Sequence, residues 1–135
     1  MVLLQIFGTW CPNCMDETIF YADWFNKHQN EAIEIIGLAY EAKDDFEYAK
    51  ARVEKMKAKY NVGYDYVIAG VYDKEAAAKT LPMLNHVLSF PTTIFIDKKG
   101  KVRKIHTGFS GPATGIYYEE FKNDFNSFMD QLLNE

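Results

Sequence analysis

Val2-Leu3-Leu4-Gln5-Ile6-Phe7-Gly8-Thr9-Trp10-Cys11-Pro12-Asn13-Cys14 joins an apolar run, a short turn and both cysteines of the chain. The nearly continuous apolar run Val2–Phe7 predicts a strand buried on both faces, as in the interior of a parallel sheet. Gly8 bounds it. Pro12 suits the first position of a helix, where its missing N–H costs nothing, so a helix is expected from there to about His28. Within it Cys14, Thr18, Ala22 and Phe25 recur at spacings of three and four, with Met15 and Ile19 beside them, forming one apolar stripe. Asp16 and Glu17 are expected to place negative charge in the first turn, favourable to the helix dipole.

Further along, Ile33 to Tyr40 predicts a second buried strand and Lys43 to Tyr60 a polar helix with apolar contacts at Phe46, Ala49, Val53, Met56 and Tyr60. Asn61-Val62-Gly63 ends that helix. Tyr64 to Ala69 is expected to be a short strand, and Lys74 to about Leu88 a helix kinked or split at Pro82. Thr92 to Asp97 is a strong strand, turned through Asp97-Lys98-Lys99-Gly100 into Lys101 to Thr107, which is a hairpin signal. After the glycine-rich loop Gly108 to Gly115, a terminal helix presents Tyr117, Phe121, Phe125, Phe128 and Leu132 as its apolar face. Long helical connections between the first strands predict parallel pairing by right-handed crossover. The hairpin adds antiparallel strands, giving an α/β fold with a mixed sheet and helices on both faces.

The length of 135 residues suits a single domain, here residues 1–135. With 48% hydrophobic and 25% charged residues the chain has the composition of a soluble globular domain. Ten Phe, nine Tyr and two Trp imply a core built largely from rings. A net charge of −4 argues against nucleic acid as a partner, since phosphate contact needs a basic surface. The basic run Lys98-Lys99, Lys101, Arg103-Lys104 is expected to decorate a solvated hairpin. No apolar run reaches the roughly 18 residues needed to span a bilayer, and an export signal is expected to lie outside this chain. A start inside a central strand is expected of the C-terminal fragment of a longer exported protein.

Two cysteines this close cannot brace a fold by closing a long loop. Placed between a buried strand and a helix, Cys11 meets free backbone N–H groups and the positive end of the dipole, which favour a thiolate. Cys14, one turn further on the same face, can attack a mixed disulfide formed at Cys11. Cys11 is therefore the expected nucleophile and Cys14 the resolving thiol. Two alternatives stand beside this: a pair of small buried hydrophobes, or a zinc site. Zinc wants four ligands, and the chain has neither a second C-x-x-C nor an H-x-x-x-H, with His28, His86 and His106 scattered. Neither a metal nor an organic cofactor is expected. In Ser89-Phe90-Pro91-Thr92-Thr93, a proline before a strand is by itself a strand-start punctuation mark.

Taken together, Trp10-Cys11-Pro12-Asn13-Cys14, Phe90-Pro91-Thr92-Thr93 and the Asp97-Lys98-Lys99-Gly100 turn resemble the thioredoxin superfamily. The extra strand and helix before the proline resemble its TlpA/ResA branch of exported thiol–disulfide oxidoreductases. The resemblance implies a thioredoxin-like fold lacking the N-terminal strand and helix usual in the family. It implies that Pro91 is a cis-proline beside the cysteines and that the Phe90 backbone offers an edge to an extended substrate. Trp10, Pro12 and Thr92 would shape the site, with Gly108-Phe109 as another wall. Thioredoxin carries a buried aspartate six residues before its first cysteine; Gln5 stands there, which fits the TlpA/ResA branch better. Glu17 matches an acidic position of that branch, and Glu41 is a second candidate proton carrier.

The implied function is exchange of the Cys11–Cys14 dithiol or disulfide with protein disulfides, as a reductase fed by an upstream thiol or membrane electron donor. The implied compartment is the bacterial periplasm or cell envelope, with the cytoplasm as the alternative, and the implied process is cell redox homeostasis. The Pro12-Asn13 dipeptide departs from the branch's reductases, which more often carry proline immediately before the second cysteine. A disulfide oxidase or isomerase, or a copper-binding or protein-contact domain, are the other readings. A peroxidase of the peroxiredoxin type needs P-x-x-x-T/S-x-x-C, and Leu4 and Gly8 leave that arrangement absent.

Overall fold

A computed structural model describes residues 1–71 and 90–135. The chain runs β1 (Val2–Phe7), α1 (Pro12–Lys27), β2 (Glu34–Glu41), α2 (Phe46–Lys59), β3 (Asp65–Val71), β4 (Thr92–Ile96), β5 (Val102–Thr107), a 3-10 turn (Pro112–Thr114) and α3 (Ile116–Leu133). The sheet has the order β3-β2-β1-β4-β5. β1 pairs parallel with β2 and antiparallel with β4, while β2–β3 is parallel and β4–β5 antiparallel. The central place of β1 explains its apolar run, because Leu3, Ile6 and Phe7 are wholly buried. This is the mixed sheet expected from helical crossovers and a terminal hairpin. The helix expected over 74–88, with Pro82 and His86, lies outside the described residues.

Alternation along the strands sorts the core into two sides. Leu3, Ile35 and Phe95 pack beneath Tyr21, Ala22 and Trp24 of α1 and Phe125, Met129 and Leu132 of α3. On the same side Phe7 and Ala39 meet Cys14 and the α2 residues Val53 and Met56. Ile6, Tyr40 and Ile94 form a smaller buried cluster on the opposite face. Rings hold α3 to α1: Phe20 lies 5.2 Å from Phe121 and 5.1 Å from Phe125, both edge-on, the arrangement favoured by the ring quadrupole.

Three expected core positions face outward instead. Ile19 is 46% exposed, because Glu17, Tyr21 and Trp24 take the inner side of α1. Phe46 is 60% exposed; α2 begins only there, with Asp45 as its cap accepting from the Tyr48 N–H at 3.1 Å. Tyr117 is 63% exposed, since its neighbour Tyr118 takes the inward place against Phe20 and Phe109. The β4–β5 turn is built on Asp97, whose carboxylate accepts from the N–H groups of Lys99 at 2.9 Å and Lys101 at 3.0 Å and from Arg103. These bonds hold its carboxyl below the usual range, the Lys101 backbone foremost. The basic run lies on this exposed hairpin.

Candidate active site

Cys11 is the N-cap of α1, in extended backbone conformation (φ −100°, ψ 110°), and Pro12 opens the helix. That geometry turns the Cys11 side chain back onto the first turn, where the Cys14 N–H donates to Cys11 Sγ at 3.2 Å. A cap accepts one of the helix's orphan N–H groups; here the acceptor is sulfur. Both cysteines are free thiols. They are unequal: Cys11 keeps 6% exposure, whereas Cys14 has none. Burial, then the hydrogen bond with Cys11, pushes the Cys14 thiol far above its ordinary range, and Glu17 adds to the shift.

From across the sheet the segment before β4 reaches this pair. The Cys11 thiol points to the Phe90 carbonyl at 3.9 Å. Pro91 is buried and its bond to Phe90 is cis. The Gly108 N–H donates to the Pro91 carbonyl at 2.7 Å, fixing the segment to the end of β5. Thr92 is buried within β4, opposite Ile6 on one side and Thr107 on the other.

Trp10 forms one wall. β1 ends at Phe7 opposite Ala39, and just past that end the Tyr40 carbonyl accepts from the Trp10 indole N–H at 2.8 Å. The Trp10 ring stands edge-on to Phe90 at 5.6 Å. Gly8 makes room for it, since a Cβ there would clash with the Trp10 indole nitrogen. Gly8→Ala is therefore expected to release the indole from Tyr40. The readout is faster solvent exchange of the Trp10 indole proton by NMR; an unchanged resonance would show that the backbone gives way instead.

Two buried carboxylates flank the turn on different sides. Glu41, with no exposure, accepts from the Thr9 N–H at 3.0 Å and the Thr9 hydroxyl at 2.7 Å. Arg52 of α2 lies 3.8 Å from it and donates to Thr9 Oγ1 at 2.8 Å. Glu41 thus clamps the turn to α2, and it is not among the groups that perturb Cys14. Glu17 is different. It is wholly buried on the face of α1 that carries Cys14, so it is no first-turn surface charge, and the first turn holds no acidic residue. The Gln5 amide donates to Glu17 Oε1 at 3.1 Å and to Thr18 Oγ1 at 3.0 Å, and its carbonyl accepts from the Tyr64 hydroxyl at 3.0 Å. Tyr21 and Thr93 hydroxyls pair beside them at 2.8 Å. Among the described residues Glu17 Oε2 has no hydrogen-bond partner. Burial pushes the Glu17 carboxyl up to about 8, only partly offset by Gln5 and Thr93.

Tyr64, Thr18 and Thr93 are network members that pattern reading passed over. The available signal was Gln5 itself, because a polar side chain inside a wholly apolar strand demands buried partners. Phe109 packs into the aromatic core, 4.9 Å from Phe121 and 6.3 Å from Phe20. His28 stacks on Trp24 at 4.0 Å and bonds the Trp24 carbonyl, while His106 sits 5.6 Å from Phe121. Among the described residues no three His, Cys, Asp or Glu side chains converge.

Residues 1–105 match the sequence model of the AhpC/TSA family. The chain belongs to that family. It is 30% identical over 107 residues to the thiol-disulfide oxidoreductase ResA of Geobacillus thermodenitrificans, covering 79% of this chain and 54% of the relative. It is 28% identical over 121 residues to the thiol:disulfide interchange protein DsbE of Escherichia coli K12, covering 90% and 56%. The chain thus spans about half the length of the curated relatives it matches. A thioredoxin family thiol:disulfide interchange protein from Chlorobium tepidum TLS superposes with a TM-score of 0.69 at 16% identity, over 98% of this chain and 79% of that one. The fold is thioredoxin-like, and the resemblance carried by the motifs extends to relatives named ResA and DsbE.

Proposed function

We propose that this AhpC/TSA-family chain is a thiol–disulfide oxidoreductase acting on protein disulfides. The observation that carries the reading is the inequality of the two thiols: Cys11 caps α1 with a residual 6% exposure and the Cys14 N–H on its sulfur, and Cys14 is sealed behind it. Cys11, as thiolate, attacks one sulfur of the substrate disulfide; that bond breaks and the other substrate sulfur leaves and takes up a proton. Cys14 then attacks Cys11 Sγ, its proton passing to Glu17 in the ionised fraction of that carboxyl, which grows as pH nears about 8. The mixed disulfide breaks, the second substrate thiol departs, and a Cys11–Cys14 disulfide remains. Two electrons pass to the substrate, and an upstream thiol or membrane donor restores the dithiol. No step calls for a metal or organic cofactor.

Glu17, rather than Glu41, is the proton carrier, because its charge acts on Cys14. The Phe90 backbone, beside Cys11, offers an edge to an extended substrate, with Pro91, Thr92, Trp10 and Pro12 shaping the approach. The reductase direction and the periplasmic or envelope setting rest on the resemblance to the TlpA/ResA branch. Equilibration in glutathione or dithiothreitol redox buffers with thiol counting tests the reading. A potential near or below about −250 mV is expected of a reductase. A value of about −120 to −150 mV would make the chain an oxidant, and absence of a reversible disulfide would remove the activity altogether.

A further inference from the structure

A pocket of about 200 Å³ opens between α2 and the start of α1, on the side of the cysteine turn occupied by Thr9 and Met15. Its floor is apolar, made by Met15, Met56 and Tyr60, and its rim is basic, made by Arg52, Lys55 and Lys59. The three cations stand at spacings of three and four along α2 and so share one face of the helix. Among the described residues no acidic side chain lines the pocket. Arg52 is partly committed to the buried Glu41, while Lys55 and Lys59 are exposed. This is a local reversal of sign, since the chain as a whole carries −4. An acidic ligand therefore gains nothing from the overall field and meets a locally favourable charge at this rim.

We propose that this pocket docks an acidic side chain of the polypeptide whose disulfide Cys11 attacks. The proposal rests on the thiol-exchange reading and adds a rule for substrate choice. Thr9 precedes Cys11 by two residues and Met15 directly follows Cys14, so the pocket adjoins the reacting sulfur along the chain. An extended peptide advances about 3.3 Å per residue. With its cysteine at Cys11, a residue two to four positions away reaches the rim. Glutamate fits best: its aliphatic stem lies on Met15, Met56 and Tyr60 while its carboxylate meets the lysines. Charges of this kind act on encounter and register more than on final affinity, and they are screened by salt.

The test compares two disulfide-containing peptides, identical except for Glu or Gln three positions from the cysteine, with the neutral hydroxyethyl disulfide as reference. At low salt the reduced protein is expected to react about five-fold faster with the Glu peptide, and the preference is expected to vanish in 0.5 M salt, on the order of a 3–4 Å screening length. The double variant Lys55→Gln/Lys59→Gln is expected to lose the preference while keeping the wild-type rate on hydroxyethyl disulfide. Equal rates for the two peptides, with hydroxyethyl disulfide still reduced, would overturn the docking surface and leave the exchange activity standing. Failure on all three disulfides would instead strike the activity. In that case unreactive peptides with Ser in place of Cys decide the pocket by affinity: tighter binding of the Glu copy upholds it, and equal binding sinks it.

Discussion

Cys14→Ser is expected to turn a short-lived intermediate into an isolable product. Cys11 would still attack a substrate disulfide, but serine cannot carry out the second displacement, so the substrate would stay bonded to Cys11. In the wild-type chain that displacement is intramolecular, with both groups in the first turn of one helix, an arrangement that accelerates bimolecular chemistry by many orders of magnitude. Turnover is expected to fall by at least ~10³-fold. Non-reducing electrophoresis and intact-mass measurement should find one substrate per chain, released by dithiothreitol. Cys11→Ser should give neither adduct nor turnover. An adduct on Cys14 in the Cys11→Ser chain, or undiminished turnover in either variant, would reverse or remove the assigned roles.

The second large effect concerns Glu17 and is read in stability. Unfolded, this carboxyl ionises near its ordinary 4.5; folded, burial holds it protonated up to about 8. Between those values the native state binds a proton that the unfolded chain has lost. Its contribution is therefore fully present below about pH 4.5, is lost as pH rises, and levels off above about pH 8. The loss is on the order of 5 kcal/mol. Glu17→Gln has the same shape and no titration, so urea midpoints for the two chains should coincide near pH 4 and diverge towards pH 8. There the variant should be more stable by about that amount. Resolution of the mixed disulfide should slow in the same variant towards pH 8 and above, where wild-type Glu17 is ionised and can take the Cys14 proton. Parallel pH profiles for the two chains would show that folded Glu17 is already ionised at neutral pH.

What could be read in the sequence was local. The apolar run of β1, the proline that starts α1 and the Asp97–Gly100 turn each act over a few residues, and each stands where expected. The cysteine pair was legible for the same reason, as strand, turn and cap are consecutive. What escaped depended on distant partners. Glu17 looks like a helix charge until Gln5 and Tyr64, 59 residues apart, close around it. Periodicity marks a stripe on α1 but not its centre, so Ile19, expected beside the stripe, is exposed, while Tyr21 is wholly buried. Phe109, in a glycine-rich loop without periodicity, carries no local signal of the aromatic core it joins. Glu41 likewise gives no hint that Thr9 and Arg52 will claim it.

The bonding of Gln5 also limits how this protein's lineage can vary. Its amide nitrogen donates to Glu17 Oε1, and its oxygen is already taken by Tyr64. An aspartate at position 5 would turn a second acceptor towards Glu17 and leave two buried carboxyls competing for one proton. Positions 5 and 17 are therefore expected to change together among relatives. An acid at the strand should accompany an uncharged residue at the helix, and an amide at the strand should accompany an acid at the helix. The buried acid can be supplied from either element while the cysteines stay in place, so two lineages can reach the same chemistry by opposite substitutions.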